Sequence, residues 1–387
     1  MQTFSRFLAL AAVIIPLGQA APVSSTSIPG KWIIRLKPEA DIATITAHKN
    51  SLARRGVGDI KHEYGFGSFK GYSGAFDAAT IDELKNLPEV LSVEPDSIMS
   101  IDSVITQSNV GQAWGIARIS SRTPGATDYV FDSTAGEGTF SYVIDTGIRL
   151  THTEFGGRAE WGFNAVENST DTDNDGHGTH VSGTIGGSTY GVAKKTTLIA
   201  VKTFEGSTGS VSTILSGLDW AINDIVSRKR TSTAVINMSA GGLGSTTWDE
   251  AITAAWEQGV LLVCSSGNSD ADTADWSPAR SPETITVGNS QSDDSRYTTS
   301  NWGPTVNIFA PGTKILSSYF HSDIATEVLT GTSMASPHVA GLVSYIRGLE
   351  GPLSAEAVKA RVLELATPDI ITDPKNSTNL LAYNGIK

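Results

Sequence analysis

Gly331-Thr332-Ser333-Met334-Ala335-Ser336-Pro337-His338-Val339-Ala340-Gly341 places a small hydroxyl residue in a glycine turn directly before an apolar helical run. Backbone N–H groups at a helix start have no partner within the helix, and that end of the helix is positive. A serine there is seated where both a nucleophile and the oxyanion it creates can be held. The hydroxyl is a poor nucleophile alone, so the reading depends on a base and an orienting carboxylate elsewhere in the chain.

Two segments supply them. Phe140-Ser141-Tyr142-Val143-Ile144 is a short run of strand formers that stops at Asp145-Thr146-Gly147. A carboxylate at the end of a buried strand is where parallel α/β sheets keep their functional groups. Asp175-Gly176-His177-Gly178-Thr179-His180 puts His177 at or near a helix start between glycines that permit close approach. The assignment is therefore Ser333 as nucleophile, His177 as base and then acid, and Asp145 as its orienter. Chain order Asp, His, Ser is one of the orders in which this geometry occurs. His180 and His338 are read as structural. Asn268 leaves the strand-like run Leu261–Cys264 and can aim its amide at an oxyanion together with the Ser333 N–H.

With those segments in place, the sequence resembles the subtilisin-like serine proteases. Val192-Ala193-Lys194-Lys195, Ile236-Asn237-Met238-Ser239 and Leu381-Ala382-Tyr383-Asn384-Gly385 resemble the proteinase K branch and its secreted fungal alkaline proteases, the oryzin type. The resemblance implies that Asn268 is the oxyanion asparagine. It also implies that Ser239, Ala240 and Gly241 pair with the substrate backbone, and that Gly209, Ser210 and Val211 form the opposite rim. Peptide held between two such edges is bound as an added strand. No charge lies between Ser239 and Gly244 or in Ser265-Ser266-Gly267. Broad specificity is expected, leaning to apolar or aromatic residues before the scissile bond.

Met1–Ala20 reads as a secretory signal, with Arg6, an apolar run Phe7–Leu17 and small residues before the cut. A secreted, extracellular product is expected. Residues 21–102 read as βαββαβ, a ferredoxin-like plait: strand Lys31–Leu36, helix Ile42–Arg54, strand pair Tyr64–Phe76, helix Thr80–Leu87, strand Val90–Val93. This segment resembles the inhibitory propeptide of these proteases, which assists folding and leaves its C-terminal end in the cleft. Cleavage is expected near Ser103. Residues 103–387 alternate strand runs (Leu198–Val201, Ala234–Met238, Val260–Cys264, Ile285–Val287) with helical ones (Val211–Val226, Trp248–Gln258, Ser354–Ala366). That pattern predicts a parallel sheet with helices on both faces.

The net charge of −12 opposes binding to nucleic acid or anionic membrane. One cysteine, Cys264, excludes a disulfide within the sequence, and its apolar strand marks it as a packing residue. A monomer acting on proteins and peptides, with its own propeptide as inhibitor, is expected.

No cofactor is expected. Asp171–Gly176 opens like a calcium loop, but its seventh position is His177 and its twelfth is Ser182, so the run is read as an acidic surface turn. The branch has a calcium site whose Asp aligns with Gln291, while Asp293 and Asp294 are out of register, which leaves calcium open but not required. Asn168 and Asn376 are glycosylation sequons, and Asn237 is expected to stay bare. An esterase would want glycine where Ala335 stands. A zinc peptidase would want His-Glu-x-x-His, which His177–His180 does not supply. A catalytically dead binding module would be expected to lack one of these residues, and all are present.

Overall fold

The computed structural model describes residues 27–40, 42–55, 59–97 and 104–386. The signal reading at Met1–Ala20 and the expected cut near Ser103 lie outside the described residues. The chain divides into two compact units, with the boundary between Ile98 and Met99.

The first unit runs β1 (Ser27–Leu36), α1 (Ile42–Arg55), β2 (Asp59–Phe66), β3 (Phe69–Ala75), α2 (Ala78–Lys85), β4 (Val90–Ser97). Its strands form one antiparallel sheet in the order β2-β3-β1-β4. Ile34, Leu36 and Tyr72 of the sheet pack with Ile45 and Leu52 of α1 and Ile81 and Leu84 of α2. Asp77 starts α2 by accepting from Thr80 N at 2.8 Å. This is the βαββαβ plait expected from the pattern.

The second unit opens with β5 (Val104–Gln107), α3 (Trp114–Ile119), β6 (Tyr129–Asp132), β7 (Phe140–Asp145), β8 (Ala159–Asn164), α4 (His177–Gly186) and β9 (Thr197–Lys202). It continues with α5 (Val211–Ser227), β10 (Ala234–Met238), β11 (Gly242–Leu243), α6 (Thr246–Glu257), β12 (Leu262–Ser265), β13 (Trp276–Ser277) and β14 (Ile285–Ser290). Last come β15 (Val306–Pro311), β16 (Ile315–Ser318), β17 (Thr326–Leu329), α7 (Thr332–Glu350), α8 (Ala355–Leu365), β18 (Thr367–Pro368) and β19 (Leu380–Leu381). The main sheet has nine strands in the order β18-β19-β15-β14-β12-β10-β7-β9-β8, all parallel except the β18–β19 pair.

Alternation along the strands builds two cores. Val143, Ala200, Val235 and Val263 face α4 and α7. Tyr142, Ile144, Val201 and Ile236 face the other way, onto Leu218 of α5 and Ile252 of α6. Both faces are therefore covered, as a parallel sheet requires. Ser210, Ser245 and Ser354 cap α5, α6 and α8 through their hydroxyls. The strand expected from Val260 starts two residues later. Val260 N still bonds Ala255 O at the end of α6, which delays entry into the sheet.

After β7 the chain builds β8 and β9 on one side, then returns to place β10 on the other. β7 is thus a topological switch point, and the carboxyl ends of the strands around it open a crevice. Among the described residues no helix is long and apolar enough to cross a membrane.

Candidate active site

Asp145 is the last residue of β7 and is 2% exposed. Its carboxylate accepts from Thr146 N at 2.8 Å and faces His177, whose Nδ1 lies 2.8 Å from Oδ1 and 3.0 Å from Oδ2. An ionised carboxylate can only accept, so Nδ1 carries the proton and Nε2 keeps its lone pair. Burial pushes the imidazole pKa down. The Asp145 carboxylate, joined by Asp175 and Asp173, outweighs that and holds it above the ordinary 6.5.

His177 is the first residue of α4, entered through Gly176 at φ 104°, a left-handed conformation that suits glycine. A Cβ on Gly178 would come within 2.1 Å of Gly147 O and 3.2 Å of the Asp145 side chain, so the helix approaches β7 only because that position is glycine. Every early N–H of α4 has a side-chain acceptor. His177 N donates to Asp175 Oδ1 at 3.3 Å, Gly178 N to Thr146 Oγ1 at 2.9 Å and Thr179 N to Asp173 Oδ2 at 2.9 Å. Here the expectation of an acidic surface turn is corrected. Asp173 is 4% exposed and accepts five hydrogen bonds, from Thr146, Asp175, Gly176 and twice from Thr179. The run reads as surface because its neighbours are polar, but only Asp171 and Asn174 are exposed there.

Ser333 is the second residue of α7, whose start is finished differently. Thr332 N and Thr332 Oγ1 donate to Asn268 Oδ1 at 2.8 and 3.0 Å. That fixes the amide, so Asn268 Nδ2 points its protons elsewhere, and among the described residues it finds no acceptor. Ser333 N likewise donates to no described residue. Two N–H donors, one from each side of the serine, are left open. Thr332 Oγ1 also accepts from Gly267 N at 3.2 Å, tying the Asn268 loop to α7. Sequence reading gave Thr332 no role; its place beside Ser333 is the only signal.

Ser333 Oγ donates to Ser239 O at 3.0 Å, and Ser239 Oγ returns a bond to Ser333 O at 2.9 Å. Among the described residues no hydrogen bond joins Ser333 Oγ to His177 Nε2. Such bonds are commonly long in the free state and tighten once substrate is bound.

Asp145, His177, Asn268 and Ser333 line one open cleft of about 390 Å³. Ser239, Ala240 and Gly241 form one wall, in the irregular segment between β10 and β11. The Ala240 backbone bonds no other described residue, leaving an edge free. Opposite stand Phe204, Gly206 and Ser207. Gly209, Ser210 and Val211 do not line the cleft. Ser210 caps α5 and Val211 begins it. The Glu205–Thr208 bridge folds the Gly206–Ser207 stretch into a tight turn. Ser265, Ser266, Gly267, Ser277, Ala279 and Trp276 complete a lining without charge on that side. Trp276 was not foreseen.

His180 is fully buried, and its Nε2 lies 3.0 Å from Ile315 O and 3.2 Å from Glu327 O. Burial drives its pKa down to about 3, so it is a neutral structural donor. His338 donates from Nδ1 to Met334 O at 2.8 Å, and burial lowers it to about 4. Cys264 is fully buried, with its thiol pushed up to about 11 by burial. Asn168 and Asn376 are exposed, whereas Asn237 is buried and already donates to Ser239 Oγ at 3.0 Å.

At the position aligned with calcium a neutral amide stands where the branch has a carboxylate. Gln291 offers an amide that donates to Ser295 Oγ, and the Asp294 carboxylate is held by Arg118 at 2.8 and 3.0 Å. Among the described residues no group of three or more His, Cys, Asp or Glu side chains is placed to hold a metal.

The arrangement, a carboxylate-held imidazole beside a serine at an open helix start, defines a serine peptidase site. A family model described as the subtilase family matches residues 136–384, and one described as peptidase inhibitor I9 matches residues 13–102. Alkaline protease 1 of Aspergillus clavatus is 46% identical over 404 aligned positions, covering 100% of both chains. An alkaline proteinase of Hapsidospora chrysogena is 45% identical over 400 positions, covering 98% of each. The crystal structure of a cold-adapted subtilisin-like serine proteinase is 39% identical, with a TM-score of 0.66, and covers 71% of this chain and 98% of that one. The chain belongs to the subtilase family. It is a serine endopeptidase that carries an inhibitory propeptide domain ahead of its peptidase domain.

Proposed function

We propose that Ser333, His177, Asp145 and Asn268 carry out the acyl transfer. The observation that carries this reading is the Asp145–His177 pair sharing a cleft with Ser333 and two open N–H donors. Ser333 Oγ leaves Ser239 O, gives its proton to His177 Nε2 and attacks the scissile carbonyl. Asn268 Nδ2 and Ser333 N hold the oxyanion. His177 then protonates the leaving amine, and water releases the acyl group by the same route. The test is casein hydrolysis blocked by a serine-directed phosphonylating reagent, with the label mapped by peptide sequencing. Label on Ser333 and loss of activity are expected. An inactive processed protein, or label on another serine, overturns the assignment.

Substrate lies as an added strand against Ser239–Gly241, with the Gly206–Ser207 turn opposite. The uncharged wall of Ser265, Ser266, Gly267 and Ala279 supports broad specificity that leans to apolar or aromatic residues before the cleaved bond. A peptide library with a dominant requirement for lysine or arginine there would refute it. Residues 1–20 act as a secretion signal, 21–102 as the removed propeptide and 103–387 as the extracellular, monomeric enzyme. Sequencing the N-terminus of secreted Ser333→Ala tests self-processing: the inactive chain should keep the segment before Ser103. Asn168 and Asn376 carry glycan and Asn237 does not, as glycopeptide mass spectrometry would read. Calcium is dispensable, supported by the engagement of Asp294 with Arg118. Strong protection by calcium against thermal inactivation would count against that.

A further inference from the structure

Lys202 is the last residue of β9 and is 0% exposed, an unfavourable place for an ammonium unless its protons are all used. It stands opposite Asp145 in the parallel ladder between β7 and β9, so both side chains turn to the face that α4 covers. Yet the ammonium does not bond the Asp145 carboxylate. It donates to Thr146 O at 2.9 Å and Thr172 O at 3.1 Å and forms an ion pair with Glu205 Oε2 at 2.9 Å. An ammonium has three protons, and all three are engaged.

Each acceptor belongs to a different part of the frame around the site. Thr146 follows Asp145 directly. Thr172 precedes Asp173, whose carboxylate caps the first turn of the His177 helix. Glu205 lies in the turn that carries Gly206 and Ser207, and it also accepts from Ser169 Oγ at 2.5 Å and Asn174 Nδ2 at 2.8 Å. Bonds from Ser169, Asn174 and Lys202 pull the Glu205 carboxyl down to about 2, so it stays ionised.

We propose that Lys202, with Glu205, is a positioning residue for the reaction: it braces the end of β7 against the Thr172–Asn174 loop and so sets the spacing between Asp145 and His177. The inference rests on the reading of Asp145 as the orienter of His177. A lysine suits the role because one compact charge can gather two carbonyls and a carboxylate from three segments.

Lys202→Met in the full chain keeps an unbranched apolar side chain and strips all three donors. Lys359→Met is the control. Lys359 Nζ also donates to two carbonyls, Pro282 O at 2.5 Å and Thr284 O at 2.8 Å, but lines no part of the cleft. The expected result for Lys202→Met is a drop in kcat of about tenfold to a hundredfold with KM changed less than about twofold. The downfield proton NMR signal of His177 Nδ1–H should broaden as its bond to Asp145 loosens. Glu205→Gln should move kcat the same way by less, and Lys359→Met should lower Tm alone. A Lys202→Met enzyme with lowered Tm but unchanged kcat and an unchanged Nδ1–H signal overturns the proposal. If Lys202→Met does not fold, Glu205→Gln and Asn174→Ala decide it, and unchanged kcat in both overturns it. Asp145→Asn separates the two readings. Full activity there removes the orienting role itself, whereas an inactive Asp145→Asn beside a fully active Lys202→Met removes only the brace.

Discussion

α4 and α7 both begin at a glycine, and both carry a site residue within the first two positions, His177 in one and Ser333 in the other. The start of α4 is closed: Asp173, Asp175 and Thr146 take up its N–H groups. The start of α7 is open: among the described residues the N–H of Ser333 and the Nδ2 of Asn268 have no acceptor, while Asn268 Oδ1 holds Thr332 N. The positive end of a helix attracts negative charge in either case. In α4 a built-in carboxylate satisfies it and the imidazole is held still. In α7, on the mechanism proposed above, the same attraction is kept for charge that appears only during reaction. One helix end serves rigidity and the other serves chemistry.

Four changes test this contrast. Ser333→Ala should have the largest effect, lowering kcat/KM on the order of 10⁴-fold or more in peptide hydrolysis. Residual activity near wild type would mean another nucleophile. Asn268→Ala should cost about 10²- to 10³-fold in kcat with little change in KM. Asn268→Asp sharpens the point, because it keeps an acceptor for Thr332 but replaces the open donor with a repelling charge. It should be no better than the alanine variant, and recovery of activity would show that α7 needs the Thr332 latch more than the donor. Asp173→Ala should act on the closed helix. It strands five donors, so the protein should lose about 3 kcal/mol or more, read from the midpoint of urea unfolding. A stable, fully active Asp173→Ala would erase the difference between the two helix starts.

The mildest test is pH. His177 must be neutral to accept the serine proton, and its pKa is raised in the folded protein, so the acid limb of kcat/KM is displaced upward. Activity should climb with a midpoint above 6.5 and persist into alkaline pH. A midpoint at or below that value would show that Asp145 does not hold the imidazolium. Asp145→Asn should move the midpoint down, since it removes the principal charge that raises it.

Much of this site could be read along the chain because its chemistry needs particular residues at glycine turns. Asp145, His177 and Ser333 each end or begin a periodic apolar run, and the alternation of those runs carries the parallel sheet. What escaped was burial. Asp173 sits in a run of Asp, Asn and Thr, the composition of a solvated turn, and only the packing of α4 against β7 shows that it is internal. Lys202 ends a strand where a lysine would ordinarily reach water, and its three acceptors come from segments up to 56 residues away. β8 and the β16–β17 hairpin escaped as well, because their sequences mix polar with apolar residues and declare themselves only once neighbours pair with them.

Cys264 carries a practical consequence. The one thiol of the sequence is sealed inside β12 and its pKa is driven to about 11. Neither body of the fold contains a bond that a reductant can open. Thiol reductants should leave the enzyme working while they open the disulfide-linked proteins around it. Dissolving its targets and sparing itself can then be done in the same vessel.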